Sequence, residues 1–265
     1  MIYAKSEKDL EKMRAVGELI AEVREALRKM VEPGISTMEL NQAAEKMMRD
    51  AGAIPTFIGY HGFPYAICAS VNDEIVHGFS KTDPLKDGDI CSLDMAATYQ
   101  GFVGDTATTV PVGNISDELK QLIQITDECL ELGIEQCRPG NRVGDIGWAI
   151  QQHAEKHGYG IVRDYTGHGI GRQMHEAPQI PNYGRQGTRD KIRTGYCFAI
   201  EPMLNLGTAE TRTLSDGWTV VTVDGKASAH AEHTLAVTLE GPEILTLTRE
   251  QKQQRRASLT ANAMP

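Results

Sequence analysis

Two stretches of this 265-residue chain repeat each other, and the repeat limits the folds open to it more than any single element does. Pro33-Gly34, followed by Glu39, Leu40, Ala43, Ala44 and Gly52, recurs 106 positions later as Pro139-Gly140 with Asp145, Ile146, Ala149, Ile150 and Gly158. The run from Gly88 to Asp94 aligns with that from Gly195 to Glu201, 107 positions on. Each half therefore reads helix, helix, strands. Such a duplication predicts an α+β fold of two halves about a pseudo-twofold axis, with Asp94 and Glu201 at equivalent strand positions facing that axis.

The elements follow from local pattern. Ser6 and Asp9 form a capping-box start, and Leu10, Met13, Val16, Ile20, Val23, Leu27 and Met30 recur at helical spacing. Glu32-Pro33-Gly34 stops that helix, and Ser36 with Glu39 starts the next. Strand texture runs from Pro64 to Val112, helical texture from Ser116 to Cys137 and from Val143 to His157, and strands again from Gly160 to about Leu247. The expected organisation is one domain over residues 1–248 and a tail, 249–265, without order, because Glu250 to Arg256 has almost no apolar content.

Composition excludes several classes of function. Twenty-seven basic against 36 acidic residues give a net charge of −9 with no basic stripe, so binding to nucleic acid through its phosphates is not expected. Charges run through the first thirty residues, which leaves no secretory apolar region, and no apolar run approaches the ~18 residues of a membrane span. A cytoplasmic location away from membranes is expected. Cys68, Cys91, Cys129, Cys137 and Cys197 are scattered, with no C-x-x-C pair, and read as reduced thiols.

Asp94 and Asp105 interrupt strand-like stretches on either side of Thr98-Tyr99-Gln100-Gly101. A hairpin centred between Tyr99 and Gln100 makes them cross-strand partners, with Cβ atoms about 5 Å apart on one face. Glu201 and Glu232 repeat the arrangement about Asp216-Gly217, on longer arms where one bulge would shift the register. Each acid alone reads equally as a solvent-facing residue on a half-exposed strand; four in opposed pairs do not. Their charge of −4 matches two divalent cations, and two metals roughly 3.5–4 Å apart make a hydrolytic site with a bridging hydroxide as nucleophile. His168, between Gly167 and Gly169, offers a nitrogen ligand, although a flexible loop with an incidental histidine accounts for that triplet about as well. His77 alone reads as a hydrogen-bonded surface residue. His153 and His157, four apart near a helix end, are accounted for by the helix dipole, and no metal is assigned to them.

Taken together, Gly59-Tyr60-His61-Gly62-Phe63-Pro64, Asn72-Asp73-Glu74 before His77-Gly78, Leu93-Asp94, Gly104-Asp105-Thr106, Gly167-His168-Gly169-Ile170-Gly171, Met174-His175-Glu176, Ile200-Glu201-Pro202-Met203, Asp216-Gly217-Trp218 and Ala231-Glu232-His233-Thr234 resemble the type I methionine aminopeptidases. The resemblance spans nearly the whole chain to about Leu247. It implies the pita-bread fold, two pseudo-twofold-related α+β halves around a curved antiparallel sheet. It implies a dinuclear site in which Asp105 and Glu232 bridge the metals, Asp94 chelates one, and His168 with Glu201 completes the other. It further implies Glu201 as the proton-transferring carboxylate, His175 as the group polarising the scissile carbonyl, and His77 as the residue near the scissile amide nitrogen. Tyr60, Phe63, Cys68, Met174 and Trp218 match the methionine side-chain pocket, with His61 at its edge. Phe63 and Met174 depart from the Tyr and Phe that relatives often carry there.

The implied activity is removal of the N-terminal methionine from nascent chains and peptides whose second residue is small. Two divalent ions, of Mn, Fe, Co or Zn, serve it, and four carboxylates with one imidazole suit Mn²⁺ or Fe²⁺ at least as well as Zn²⁺. The implied partners are nascent N-termini, met transiently at the ribosome by a monomer. Prolidase and aminopeptidase P carry a large N-terminal domain, whereas 76 residues precede His77 here, and the short span from His175 to Glu201 has no room for the extra subdomain of type II enzymes. A non-catalytic module of the same fold would have lost ligands; this chain keeps all five.

Overall fold

The computed structural model describes residues 2–262. Two helices lead, α1 (Glu7–Met30) and α2 (Thr37–Asp50), each opened by a capping box, Ser6 with Asp9 and Ser36 with Glu39. They are followed by β1 (Ile54–Pro55), β2 (Ile67–Val71), β3 (Glu74–Val76) and a long hairpin, β4 (Ile90–Tyr99) and β5 (Phe102–Pro111). The second half opens on α3 (Asp117–Glu135) and α4 (Val143–Lys156) and continues with β6 (Gly160–Ile161), β7 (Gly167–Gly169), β8 (Glu176–Ile180) and β9 (Cys197–Ile200). Then come β10 (Met203–Asn205), β11 (Thr211–Thr213), β12 (Val220–Thr222), β13 (Ser228–His230), β14 (Glu232–Thr238), β15 (Gly241–Ile244) and a last helix, α5 (Arg249–Asn262).

The main sheet has nine strands along the path β1-β4-β5-β14-β9-β7-β8, with β2 also on β4 and β15 also on β14. Its ladders are antiparallel throughout, and the fold is the α+β pita-bread type. The duplication is visible in the backbone. Gly34 and Gly140 have φ of 103° and 101°, left-handed values that glycine reaches without a Cβ penalty. The isolated bridges Ser36↔Pro84 and Arg142↔Lys191 occupy corresponding positions in the two halves. Each half also has its own apolar core, one built on Met13, Ile20, Leu27, Leu93 and Met95, the other on Leu122, Ile134, Ile150, Phe198 and Leu235. The halves meet where β5 pairs with β14 through Ala107↔Glu232 and Thr106↔His233.

Two expectations need correction. Asp94 faces Ala107 and Asp105 faces Ala96, so the two acids are diagonal neighbours on one face instead of direct partners. The cause lies in the turn: Gln100 and Gly101 both take positive φ, 51° and 77°, which makes a tight two-residue loop between Tyr99 and Phe102. The tail from Arg249 is helical where no order was expected. Few apolar side chains are available to it, and it is held by ion pairs instead: Arg249 and Lys252 to Glu18 on α1, at 2.5 and 3.3 Å, and Arg255 to Glu131 on α3 at 2.7 Å. Residues 263–265 of the tail lie outside the described residues. All five cysteines are buried and free, and no described helix is long and apolar enough to cross a membrane.

Candidate metal centre and active site

Successive side chains of a strand point to opposite faces, and this places the acids. On β5 and β14, Asp105 and Glu232 face the cleft while Thr106 and His233 face α1. Behind the sheet, buried Arg24 of α1 donates to Thr106 Oγ1 at 2.6 Å, and the Thr106 hydroxyl donates to the Glu232 carbonyl at 2.9 Å. Asp105 and Thr234 exchange two further bonds across the seam: the Asp105 N–H donates to Thr234 Oγ1 at 3.0 Å, and that hydroxyl donates to the Asp105 carbonyl at 2.7 Å. The backbone carrying both acids is thus fixed from the rear.

Their carboxylates are not satisfied. Asp94 Oδ1, Asp105 Oδ1 and Glu232 Oε1 are buried without a hydrogen-bond partner. Orphaned buried oxygens of that kind cost on the order of 1–3 kcal/mol each, more when charged. Burial first, and then mutual repulsion, raises Asp105, Glu201 and Glu232 well above the usual carboxylate range; burial raises Asp94 to about 7. One ligand atom from each of Asp105, His168 and Glu232 lies within 4.8 Å of the others. Glu201, in the residue after β9, brings Oε1 to 3.4 Å from His168 Nε2. His168 Nδ1 is 3.0 Å from the Gly169 carbonyl, to which it donates, so Nε2 carries a lone pair toward the acids. Burial and the nearby His175 depress its pKa to about 3. Unpaired acids around a neutral imidazole nitrogen are the donor set a divalent cation requires, and the residues fit one.

Above the acids is a cavity of about 300 Å³. Phe63, Cys68 and Met174 form its buried wall, and Phe63 meets Trp218 edge to face at 5.0 Å between ring centroids. Phe63 is also packed against Phe57, Tyr65 and Phe79, an apolar setting that asks for no hydroxyl. At the rim, Tyr60 Oη is 2.7 Å from His175 Nδ1, His61 meets Tyr60 edge to face, and His77 lies against Tyr165 and Trp218. Every residue to which the sequence resemblance gave a ligand, catalytic or pocket role lines this one cavity. A second cavity of about 300 Å³, with Tyr165, Thr166 and Gln179 in its wall, shares His77, His168, His175, Asp94 and Glu201 with the first.

Two lining or supporting residues escaped sequence reasoning. Phe57 lies outside the motifs and reaches the pocket through Phe63. His230 is buried with neither ring nitrogen hydrogen-bonded, its Nε2 3.9 Å from Glu201 Oε2; its place two residues before Glu232 on the adjoining strand was the available signal.

A curled antiparallel half-barrel with a carboxylate and imidazole cluster on its inner face defines a metal-dependent hydrolase. The chain belongs to metallopeptidase family M24, whose model matches residues 11–239. It is 49% identical over 246 residues to methionine aminopeptidase 1 of Bacillus subtilis, covering 93% of this chain and 99% of that one. The methionine aminopeptidase of Clostridium perfringens is also 49% identical, over 247 residues and 93% and 99% of the two chains. The crystal structure of methionine aminopeptidase from Rickettsia prowazekii superposes with a TM-score of 0.92 at 46% identity, covering 93% of this chain and 100% of that one. An Xaa-Pro dipeptidase from Bacillus anthracis, 24% identical with a TM-score of 0.74, shares the fold alone; 92% of this chain covers 61% of it.

Proposed function

We propose that this chain removes the N-terminal methionine from peptides and nascent proteins whose second residue is small, using two divalent cations held by Asp94, Asp105, His168, Glu201 and Glu232. The observation that carries the proposal is the set of unpaired buried carboxylate oxygens at the floor of a cavity walled by aromatic rings and sulfur. When bound, the cations supply Lewis acidity and lower the pKa of water enough for it to attack at neutral pH. Mn²⁺ or Fe²⁺ suits the carboxylate-rich set, and the site of action is the cytoplasm, on nascent chains.

The side chains have separate tasks. Glu201 takes the proton of the attacking water on a carboxylate oxygen and passes it to the leaving amine. Tyr60 Oη and His175 Nδ1 are 2.7 Å apart; with the hydroxyl as donor, the imidazole keeps its proton on Nε2 and donates it to the developing oxyanion. His77, whose pKa burial lowers to about 4, is neutral at working pH and hydrogen-bonds near the scissile amide nitrogen. Because His175 makes no metal bond, His175→Ala is expected to lower kcat by ~10² or more with metal content unchanged. Metal analysis beside steady-state kinetics checks this, and activity lost only in proportion to lost metal would reassign His175 to a structural part.

Specificity follows from the two cavities. A long, unbranched thioether suits a slot of Tyr60, Phe63 and Trp218 with Cys68 and Met174 as sulfur neighbours. A charged side chain buried there without a partner would cost several kcal/mol. The second cavity receives the residue after methionine, between the loops of His77 and His175. Efficient release is therefore expected from Met-Ala, Met-Gly and Met-Ser peptides, poor turnover of Met-Leu and Met-Lys, and none of N-acetylated or N-formylated peptides. Mass spectrometry of a peptide panel decides the matter; equal cleavage of Leu-Ala and Met-Ala peptides would overturn the pocket assignment.

A further inference from the structure

Away from the cleft, His153 lies in the last turn of α4 and His157 is the residue that caps its C-terminus, four positions on and on the same side. The end of that helix leaves carbonyl groups unpaired and favours positive charge. Such spacing alone says little. The neighbouring helix adds what the spacing lacks, because α3 presents Glu128 to the same point. His153 Nε2 is 2.7 Å from Glu128 Oε2, and the centroids of the two imidazoles are 4.8 Å apart. One ligand atom from each of the three residues lies within 4.8 Å of the others. Gln124 donates to the second Glu128 oxygen at 2.8 Å and so fixes the carboxylate from behind. The helical spacing brings His157 beside His153, and the packing of α3 against α4 brings Glu128 to both, so three donors of two elements meet at one point.

We propose that Glu128, His153 and His157 form a metal site separate from the catalytic cluster, holding one zinc-class divalent cation that clamps the end of α4 to α3. Two imidazoles and one carboxylate are the protein ligands of open tetrahedral zinc sites, with the fourth position left to water. Imidazole donors select Zn²⁺, Cu²⁺ or Ni²⁺ over Mg²⁺, Ca²⁺ and Mn²⁺, the reverse of the preference of the acid-rich cleft. Glu128 and His153 are half-buried and His157 is exposed, so a cation reaches the site from solvent without any opening of the fold.

The test compares the Mn²⁺-loaded holoenzyme with its His157→Ala and His153→Ala variants after dialysis against micromolar Zn²⁺. His157 is exposed, so its replacement leaves packing intact and covers the case in which His153→Ala loosens the helix pair. Total metal per chain is expected to be one atom higher in the wild type than in either variant. Peptide hydrolysis before zinc is added should be the same in all three, and zinc should raise the melting temperature of the wild type relative to the variants. Equal totals in the wild type and His157→Ala would overturn the site, since zinc would then be entering only the cleft. The count does not depend on which peptide the enzyme cleaves.

Discussion

Asp105→Asn should abolish peptide hydrolysis and dinuclear metal occupancy while leaving the chain folded. Asparagine keeps the shape of the side chain but removes the negative charge of the residue proposed to bridge both cations. The loss expected is ~10³-fold or more in kcat/KM, about 4 kcal/mol of barrier. The fold does not depend on that charge. In metal-free protein the Asp105 carboxyl is raised well above its ordinary pKa, first by burial and then by Asp94, so its ionised form opposes folding. The bonds that hold its backbone run through Thr234 and do not involve the carboxylate. Elemental analysis, a thermal melt and a methionyl-peptide assay of one preparation decide it. Two metals per chain with retained turnover would remove Asp105 from the centre of the site.

The second large effect is on stability. Metal-free protein should lose stability as pH rises above about 6.5 and recover it on addition of divalent cations. Below that pH two opposing contributions meet. Burial raises Asp94 to about 7 and Asp105, Glu201 and Glu232 well above the carboxylate range, so the fold keeps protons that the unfolded chain releases above about pH 4, and stability falls as pH rises. Burial also depresses His77 to about 4, His168 and His230 to about 3, and His233 well below its ordinary value. There the unfolded chain holds the extra protons, and stability rises with pH until the unfolded imidazoles titrate near 6.5. Above 6.5 the histidines are neutral in both states and only the acids count. Each proton still held by the fold then costs about 1.4 kcal/mol per pH unit until its folded pKa is passed. Melting temperatures of metal-free and metal-loaded protein between pH 6.5 and 8.5 are the measurement. A flat curve without metal would mean that the four acids are already ionised in the fold.

The site was more legible in the sequence than the ladders that build it. Acids in strand-like segments, and glycines about His168, mark positions where ordinary folding preferences are broken, and such positions stand out. The long arm from Glu201 to Glu232 keeps the register set by Asp216-Gly217 through Thr213↔Val220, Met203↔His230 and Ile200↔His233, although its pieces belong to three sheets. The shorter hairpin slipped by two residues because nothing in Gln100 announces a positive φ. Glu128 was invisible for a different reason: it reaches His153 through the packing of two helices, and no periodicity within either helix encodes that approach. The helical tail was missed because long-range ion pairs to Glu18 and Glu131 leave no apolar pattern behind.

The duplicated architecture has a consequence for how ligands can be inherited. Two identical half-chains paired about a true twofold axis would be restricted to matched donors, since every residue offered by one would be offered by the other. Fusion into one chain lifts that restriction. In the second half His168 lies opposite Ala199 on β9; at the corresponding place in the first half, opposite Ser92 on β4, stands Ser70. Ser70 Oγ accepts from the Gly78 N–H at 3.1 Å and supports the loop that carries His77. Corresponding positions of the two halves thus hold a nitrogen donor on one side of the seam and a loop anchor on the other, a division of labour that two identical half-chains could not have.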